Sequence, residues 1–142
     1  MANKGVDIEG MNRLLDTVFA PMIQALNIEP RTISDQGVGF FVPDNAFMMR
    51  AGDIVCGQAI ASIADTVGVL TLFAHNPTER FMSTVDMTTH FMRPLFNGGL
   101  QVDTTILSNG RRMATVSVDV RQHGSEKLAA KTTCAYAYVD AP

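Results

Sequence analysis

The sequence predicts an α+β domain in which one antiparallel sheet wraps around a single long apolar helix, with an extra helix at the N-terminus. Three observations carry this. "AGDIVCGQAIASIADTVGVLTLFAH", residues 51–75, is almost continuously apolar and reads as a helix with apolar side chains around most of its circumference. The half of the chain after residue 80 reads as strand after strand joined by tight turns. Residues 8–27 carry a helical period. A helix too apolar to be half exposed is hidden most simply by a sheet that curls around it. With 142 residues, no internal repeat and no linker-like stretch, the chain is read as one domain spanning 1–142.

The elements follow in order. In "IEGMNRLLDTVFAPMIQALN", Leu14, Val18, Met22 and Leu26 recur every four residues, and Pro21 is expected to kink the helix or start a second one. "RTISDQGVGFFVPDN" supplies a Gly-containing turn and an aromatic strand, and "NAFMMRAGD" a loop leading to the central helix. "RFMSTVDMTTHFMRP" alternates. Met82, Thr84, Asp86, Thr88 and His90 are expected on one face, with Ser83, Val85, Met87, Thr89 and Phe91 on the other. Pro94 and "NGG" end it. "LQVDTTILS", the turn "NGR", "RMATVSVDVRQ", the turn "HGSEK" and "LAAKTTCAYAYV" complete an antiparallel meander.

Composition narrows the function classes. Hydrophobic residues make up 46% of the chain and charged ones 18%, a globular balance. A net charge of −3 without a Lys or Arg block argues against nucleic acid as a partner, although Arg93, Arg111 and Arg112 are candidates for a local anion site. "MANKGVDIEG" lacks the apolar run of a signal peptide. The apolar segment from Ile54 to Ala74 is interrupted by Gln58, Ser62, Asp65, Thr66 and Thr71, which argues against a membrane span. A soluble, cytoplasmic protein is therefore expected. Cys56 and Cys134 lack metal-ligand spacing and are expected to be reduced thiols, and no metal site or phosphate loop is apparent.

Apart from Asp53 near its start, the predicted central helix carries a carboxylate, Asp65, close to the middle of its apolar run. At roughly 100° per residue, Gln58, Ser62 and Asp65 fall on one stripe about 60° wide, bordered by Thr66. A carboxylate two turns into such a helix either bonds a neighbouring hydroxyl such as that of Ser62, or faces a cleft as a catalytic carboxylate. Gly57 lies in the first turn, where backbone N–H groups lack helical partners and, with the helix dipole, suit a carbonyl oxygen. Eight residues of helix separate the two groups by about 12 Å, too far to act on one carbonyl within one chain. Two helices packed antiparallel across a dimer would bring them together.

"CGQAIASIADTVG", "STVDMTTHFMRP" and "NGRRMATVSVDV", in this order and spacing, resemble the hotdog-fold acyl-CoA thioesterases of the phenylacetate-degradation type, over residues 45–139. The resemblance implies thioester hydrolysis with no metal or redox cofactor, coenzyme A entering only as part of the substrate, and self-association as a dimer or a dimer of dimers (a homotetramer). It implies that Asp65 activates water or attacks the carbonyl, that the Gly57 N–H polarises it, and that Thr84 positions the acid or water. It also implies that Arg93 and the Arg111–Arg112 turn meet coenzyme A phosphates. Cys56 stands where the family has His, Gln58 where it has a second Gly, and Arg50 where an Asn is frequent. All three are substrate-binding candidates with an altered grip.

Other arrangements weigh less. Cys56 as a nucleophile with His90 as base lacks supporting spacing, and a small residue at a tight turn is the simpler reading. Asp86 is read as a strand residue, His75 as a C-terminal helix cap and His123 as a solvated turn residue. Phe40, Phe41, Phe47, Met48 and Met49 are candidates for an apolar acyl tunnel. The reading is an acyl-CoA thioesterase for a small to medium acyl or aryl-acyl group. The rival is a non-catalytic acyl-binding or assembly module on the same scaffold.

Overall fold

A computed structural model describes residues 5–139. Helix α1 (Ile8–Thr17) starts where the Asp7 side chain accepts the Gly10 N–H at 2.8 Å, a cap reinforced by Glu9 in the first turn. It buries Met11 and Leu15. The helix does not continue to residue 27. Pro21 has no N–H to give residue 17 and instead opens α2 (Pro21–Gln24) as its first residue. Val18 and Met22, expected on the buried stripe, are consequently 57% and 68% exposed.

Strands β1 (Glu29–Ile33) and β2 (Val38–Val42) form a hairpin. A 3₁₀ turn at Ala46–Met48, capped by Asn45, leads to the two-residue strands β3 (Met49–Arg50) and β4 (Ile54–Val55), which pair with each other. The central helix α3 therefore spans Gly57–His75 and does not begin at residue 51. Gly52 and Asp53 adopt φ of 91° and 57°, which turn β3 back on β4 and which no right-handed helix accommodates. Strands β5 (Met82–Phe91), β6 (Leu100–Asn109), β7 (Met113–Gln122) and β8 (Leu128–Tyr138) follow.

The six long strands form one antiparallel sheet in the order β1-β2-β6-β7-β8-β5. Helix α3 lies in its concave face. Ile63, Val67, Leu70 and Leu72 are fully buried in one cluster with Phe40, Val102, Val116, Val118 and Tyr136. By length and composition α3 could cross a membrane, yet 67% of the qualifying stretch is buried inside the domain. Its apolar surface is taken up by the sheet, at about 1.5–3 kcal/mol for each fully buried large side chain. The face left least buried contains Gln58, Ser62 and Asp65, the polar stripe read from the sequence, together with Ala61 and Val69; Thr66 at its border is buried.

Strand β5 departs from strict alternation. Thr84 pairs with Tyr136 and Asp86 with Ala135, so Val85 is an extra residue in a β-bulge. Met82 and Thr84 before the bulge, and Met87, Thr89 and Phe91 after it, are opposite or against groups on the helix side. Asp86, Thr88 and His90 lie in register with Ala135, Thr133 and Lys131 on the outer face.

Candidate active site

Among the cavities of the described residues, one opens at the N-terminus of α3 and another beside Asp65. At the N-terminus Cys56 is the cap residue, in extended conformation (φ −70°, ψ 149°), and no side chain bonds the first turn. Its carbonyl accepts the N–H groups of Ala59 and Ile60, at 3.1 and 3.3 Å. The N–H groups of Gly57 and Gln58 precede the first possible helical acceptor and point along the axis out of the helix. Gly57 lines a cavity of about 330 Å³ together with Arg50, Ile60, Phe91 and Arg93 among others. A Cβ built on Gly57 would meet the Phe91 ring at 3.4 Å, an ordinary contact, so Phe91 packs beside the first residue of the helix. The Cys56 side chain is half-buried and Gln58 exposed.

Two turns further on, Asp65 is half-buried, and its Oδ1 accepts the Thr84 hydroxyl at 2.7 Å. Its partner is thus a β5 residue rather than Ser62, whose carbonyl instead accepts from Thr66. The bond fixes the carboxylate and leaves Oδ2 with no protein partner among the described hydrogen bonds. Asp65 opens into a second cavity, of about 370 Å³. One chain therefore presents helix-end donors to one cavity and a carboxylate to another.

Residues absent from the sequence reading hold Asp65 in place. The Tyr136 hydroxyl, from β8, donates to the Asp65 backbone carbonyl at 3.0 Å. It reaches the helix because position 68 is glycine: a Cβ there would lie 2.1 Å from the Tyr136 oxygen. Burial keeps the Tyr136 hydroxyl protonated far above the usual phenol range, so it remains a donor. The signals were a Gly inside an otherwise regular helix and a Tyr in an alanine-rich strand, but only the fold brings them together. Cys134 lies beneath the same turn, and burial pushes its thiol up to about 11, an unreactive core group.

The remaining predicted residues divide by position. Arg50 and Arg93 line the N-terminal cavity with Gly57. Arg50 also donates to the Ala51 carbonyl at 3.0 Å, and Arg93 to that of Leu128 at 2.7 Å. Arg111 and Arg112 are exposed at the opposite end of the sheet. The Arg93 N–H bonds Ala129, whereas the Arg112 carbonyl accepts from Tyr138, nine residues or about 30 Å along β8. One chain does not gather these arginines into a single anion site. Asp86 lies on the outer face of β5, away from Asp65. His75 bonds the Thr71 carbonyl at 2.8 Å as a helix-end cap, and exposed His123 packs edge-on against Phe41. Phe40 and Met48 are core residues, Phe47 is 84% exposed, and neither of these two cavities is lined by Phe40, Phe41, Phe47, Met48 or Met49.

A six-stranded antiparallel sheet around one long helix, with its polar groups on the helix face that the sheet leaves open, defines a hotdog-fold domain. Residues 52–140, more than half of the chain, match the acyl-CoA thioesterase N-terminal domain, and the chain belongs to that family of thioester hydrolases. It is similar to a candidate esterase of Thermoplasma volcanium, 29% identical over 114 residues that cover 80% of this chain and 84% of the relative. Among solved structures, a thioesterase of Haemophilus influenzae superposes with a TM-score of 0.86 at 18% identity, covering 98% of this chain and 95% of that one. A phenylacetic acid degradation-related protein of Ralstonia eutropha superposes with a TM-score of 0.76 at 20% identity, covering 89% and 98%. These structural likenesses speak to the fold.

Proposed function

We propose that the chain hydrolyses small to medium acyl-CoA or aryl-acyl-CoA thioesters as a homodimer, or a dimer of dimers, whose sites are built from two subunits. The observation that carries this is the separation on α3: Asp65 and the helix-end amides face different cavities and lie about 12 Å apart along the axis. An antiparallel partner helix brings the Gly57 N–H of one subunit to the Asp65 carboxylate of the other. Strand β5 supports the same arrangement. It is a ten-residue edge strand with Val85 and Phe91 exposed, and pairing with its own copy would cover that edge.

In this reading the thioester carbonyl oxygen accepts the Gly57 N–H at the positive end of the α3 dipole. Asp65, held by Thr84, takes a proton from water as the water oxygen attacks the carbonyl carbon; alternatively Asp65 attacks directly and water cleaves the resulting anhydride. Collapse of the tetrahedral intermediate breaks the C–S bond, and the thiolate recovers the proton. Label found in Asp65 after a single turnover in ¹⁸O water would identify direct attack followed by cleavage of the anhydride at the Asp65 carbonyl, whereas general-base hydrolysis puts the label in the product acid. Arg50 and Arg93 provide positive charge beside the helix end for coenzyme A phosphates, with Arg111 and Arg112 supplied from the partner's end of the sheet. Carboxylate and amide donors supply the chemistry, with no metal or redox cofactor in the scheme.

Subunit mixing tests the shared site. Asp65→Asn subunits and Gly57→Pro subunits are each expected to be inactive in thiol release from an acyl-CoA panel. Mixed and allowed to exchange, they should regain activity, because a heterodimer contains one site with both groups intact. Exchange without recovery would place the site within one chain.

A further inference from the structure

The cavity at Asp65 has a composition that the hydrolytic chemistry alone does not require. Its floor is Ala61, Ser62, Asp65, Thr66 and Val69, one stripe of α3 at spacings of three and four. Its walls are Phe19, Met22 and Ile23, from the corner between α1 and α2, and Met87 of β5. The Thr66 hydroxyl is spent on the Ser62 carbonyl. The polar groups left to a ligand are therefore the Asp65 carboxylate and the Ser62 hydroxyl, set in an otherwise apolar trough.

Two features of the corner point to a ligand. Pro21 ends the α1 pattern and takes Met22 off the core-facing stripe, leaving a large apolar side chain 68% exposed at the rim of the trough. The bulge at Val85 aims Met87 to the helix side, opposite that corner and on the same strand as Thr84. A trough with no cation beside its single carboxylate repels a phosphate or an acidic acyl group and suits a hydrocarbon chain. Its volume of about 370 Å³ is some twelve water-sized groups at roughly 30 Å³ each, and one side is open.

We propose that the α1–α2 corner is the acyl-selecting wall of the site: an apolar acyl group of about six to ten carbons lies between Met22 and Met87 with its thioester carbonyl at Asp65, and Met22 sets the length accepted. This rests on the reading of Asp65 as the hydrolytic carboxylate. The approach to Asp65 then carries the carbon chain, and the arginine-lined cavity at the helix end is left for the coenzyme.

The test uses two substitutions at Met22 on the full chain and acyl-CoAs from acetyl to dodecanoyl. Met22→Trp fills the trough and should lower the ratio of octanoyl-CoA to acetyl-CoA kcat/KM at least tenfold, the size expected when a pocket gains or loses a few carbons of room. Met22→Ala should move the optimum to longer chains. Ratios within twofold of wild type for both variants, in chains whose circular dichroism is native, would overturn the proposal. The wild-type sequence has no tryptophan, so a separate variant, Phe19→Trp, places a single fluorophore in the wall of the trough and leaves Met22 and the room for the chain in place. Its emission should shift saturably with octanoyl-CoA and not with coenzyme A alone. If the wild type releases thiol from no acyl-CoA, the hydrolytic reading fails and this emission decides the trough: a saturable shift upholds it, and none overturns it.

Discussion

The two ends of α3 are built to opposite specifications. At the C-terminus a dense set of hydrogen bonds engages the polar groups around His75 and Asn76. His75 bridges the carbonyls of Thr71 and Ser34 at 2.8 and 2.7 Å, and the Phe73 carbonyl accepts the Val6 N–H at 3.1 Å. Asn76, Tyr138 and Asn109 close a ring of three hydrogen bonds of 2.9, 2.6 and 2.9 Å, and the Arg80 guanidinium lies over the Tyr138 ring. At the N-terminus no side chain caps the helix, the first residue is glycine, and an open cavity begins there. A helix whose ends served stability alone would carry Ser, Thr, Asp or Asn at the cap, worth about 0.5–2 kcal/mol. Cys56 forgoes that gain. Anchoring is concentrated at one end so that donors remain available at the other.

Substitutions can break or sharpen this contrast. The largest effect is expected from Asp65→Asn: the amide keeps the shape but cannot take a proton, and turnover should fall by about 10²–10⁴ with little change in Tm. A loss of only two- or threefold accompanied by a large Tm drop would make Asp65 structural. Gly57→Pro comes next. It deletes one N–H at a position where Pro is tolerated in a helix, so kcat should fall by about 10²–10³ while thermal unfolding stays close to wild type. At the other end the pattern should invert. Asn76→Ala leaves Tyr138 and Asn109 without their shared partner, and stability should drop by roughly 1–3 kcal/mol in denaturant titration while kcat per folded subunit is kept. The smallest effect is at Thr84. Thr84→Ala should cost about tenfold in kcat, the weight of one hydrogen bond to a charged group, and Thr84→Ser should recover most of it.

How much was legible in the sequence follows from how local each signal is. The apolar run of α3, the strand alternation of β6 to β8 and the Asn-Gly turn between β6 and β7 are local patterns, and they predict the architecture. The misreadings are local signals overridden by one residue. The four-residue period through Val18 and Met22 continues on paper, but Pro21 breaks the helix. Ala51–Val55 reads on paper as a continuation of the helical segment, but Gly52 and Asp53 turn left-handed. Val85 stands between polar Thr84 and Asp86, as it would in an unbroken alternating strand, so nothing in the local pattern reveals a bulge. In the site, Asp65, Gly57 and Thr84 came from the stripe and the family resemblance. The contacts of Tyr136 with Gly68, and of the α1–α2 corner with Asp65, join segments more than 40 residues apart, and no periodicity records them.

The bulge at Val85 also determines how β5 tolerates a change in chain length. Cα partners in β5 and β8 sum to 220 up to Thr84 and to 221 from Asp86 onward. Val85 is the residue that changes the count. Excising it would leave Thr84 opposite Tyr136 and Met87 opposite Cys134, with each facing unchanged. Removing a residue well away from the bulge, such as Thr88 or Thr89, would invert every side chain on one side of the cut. The strand thus carries one built-in frameshift beside Thr84, where a deletion leaves the reading frame of the sheet intact.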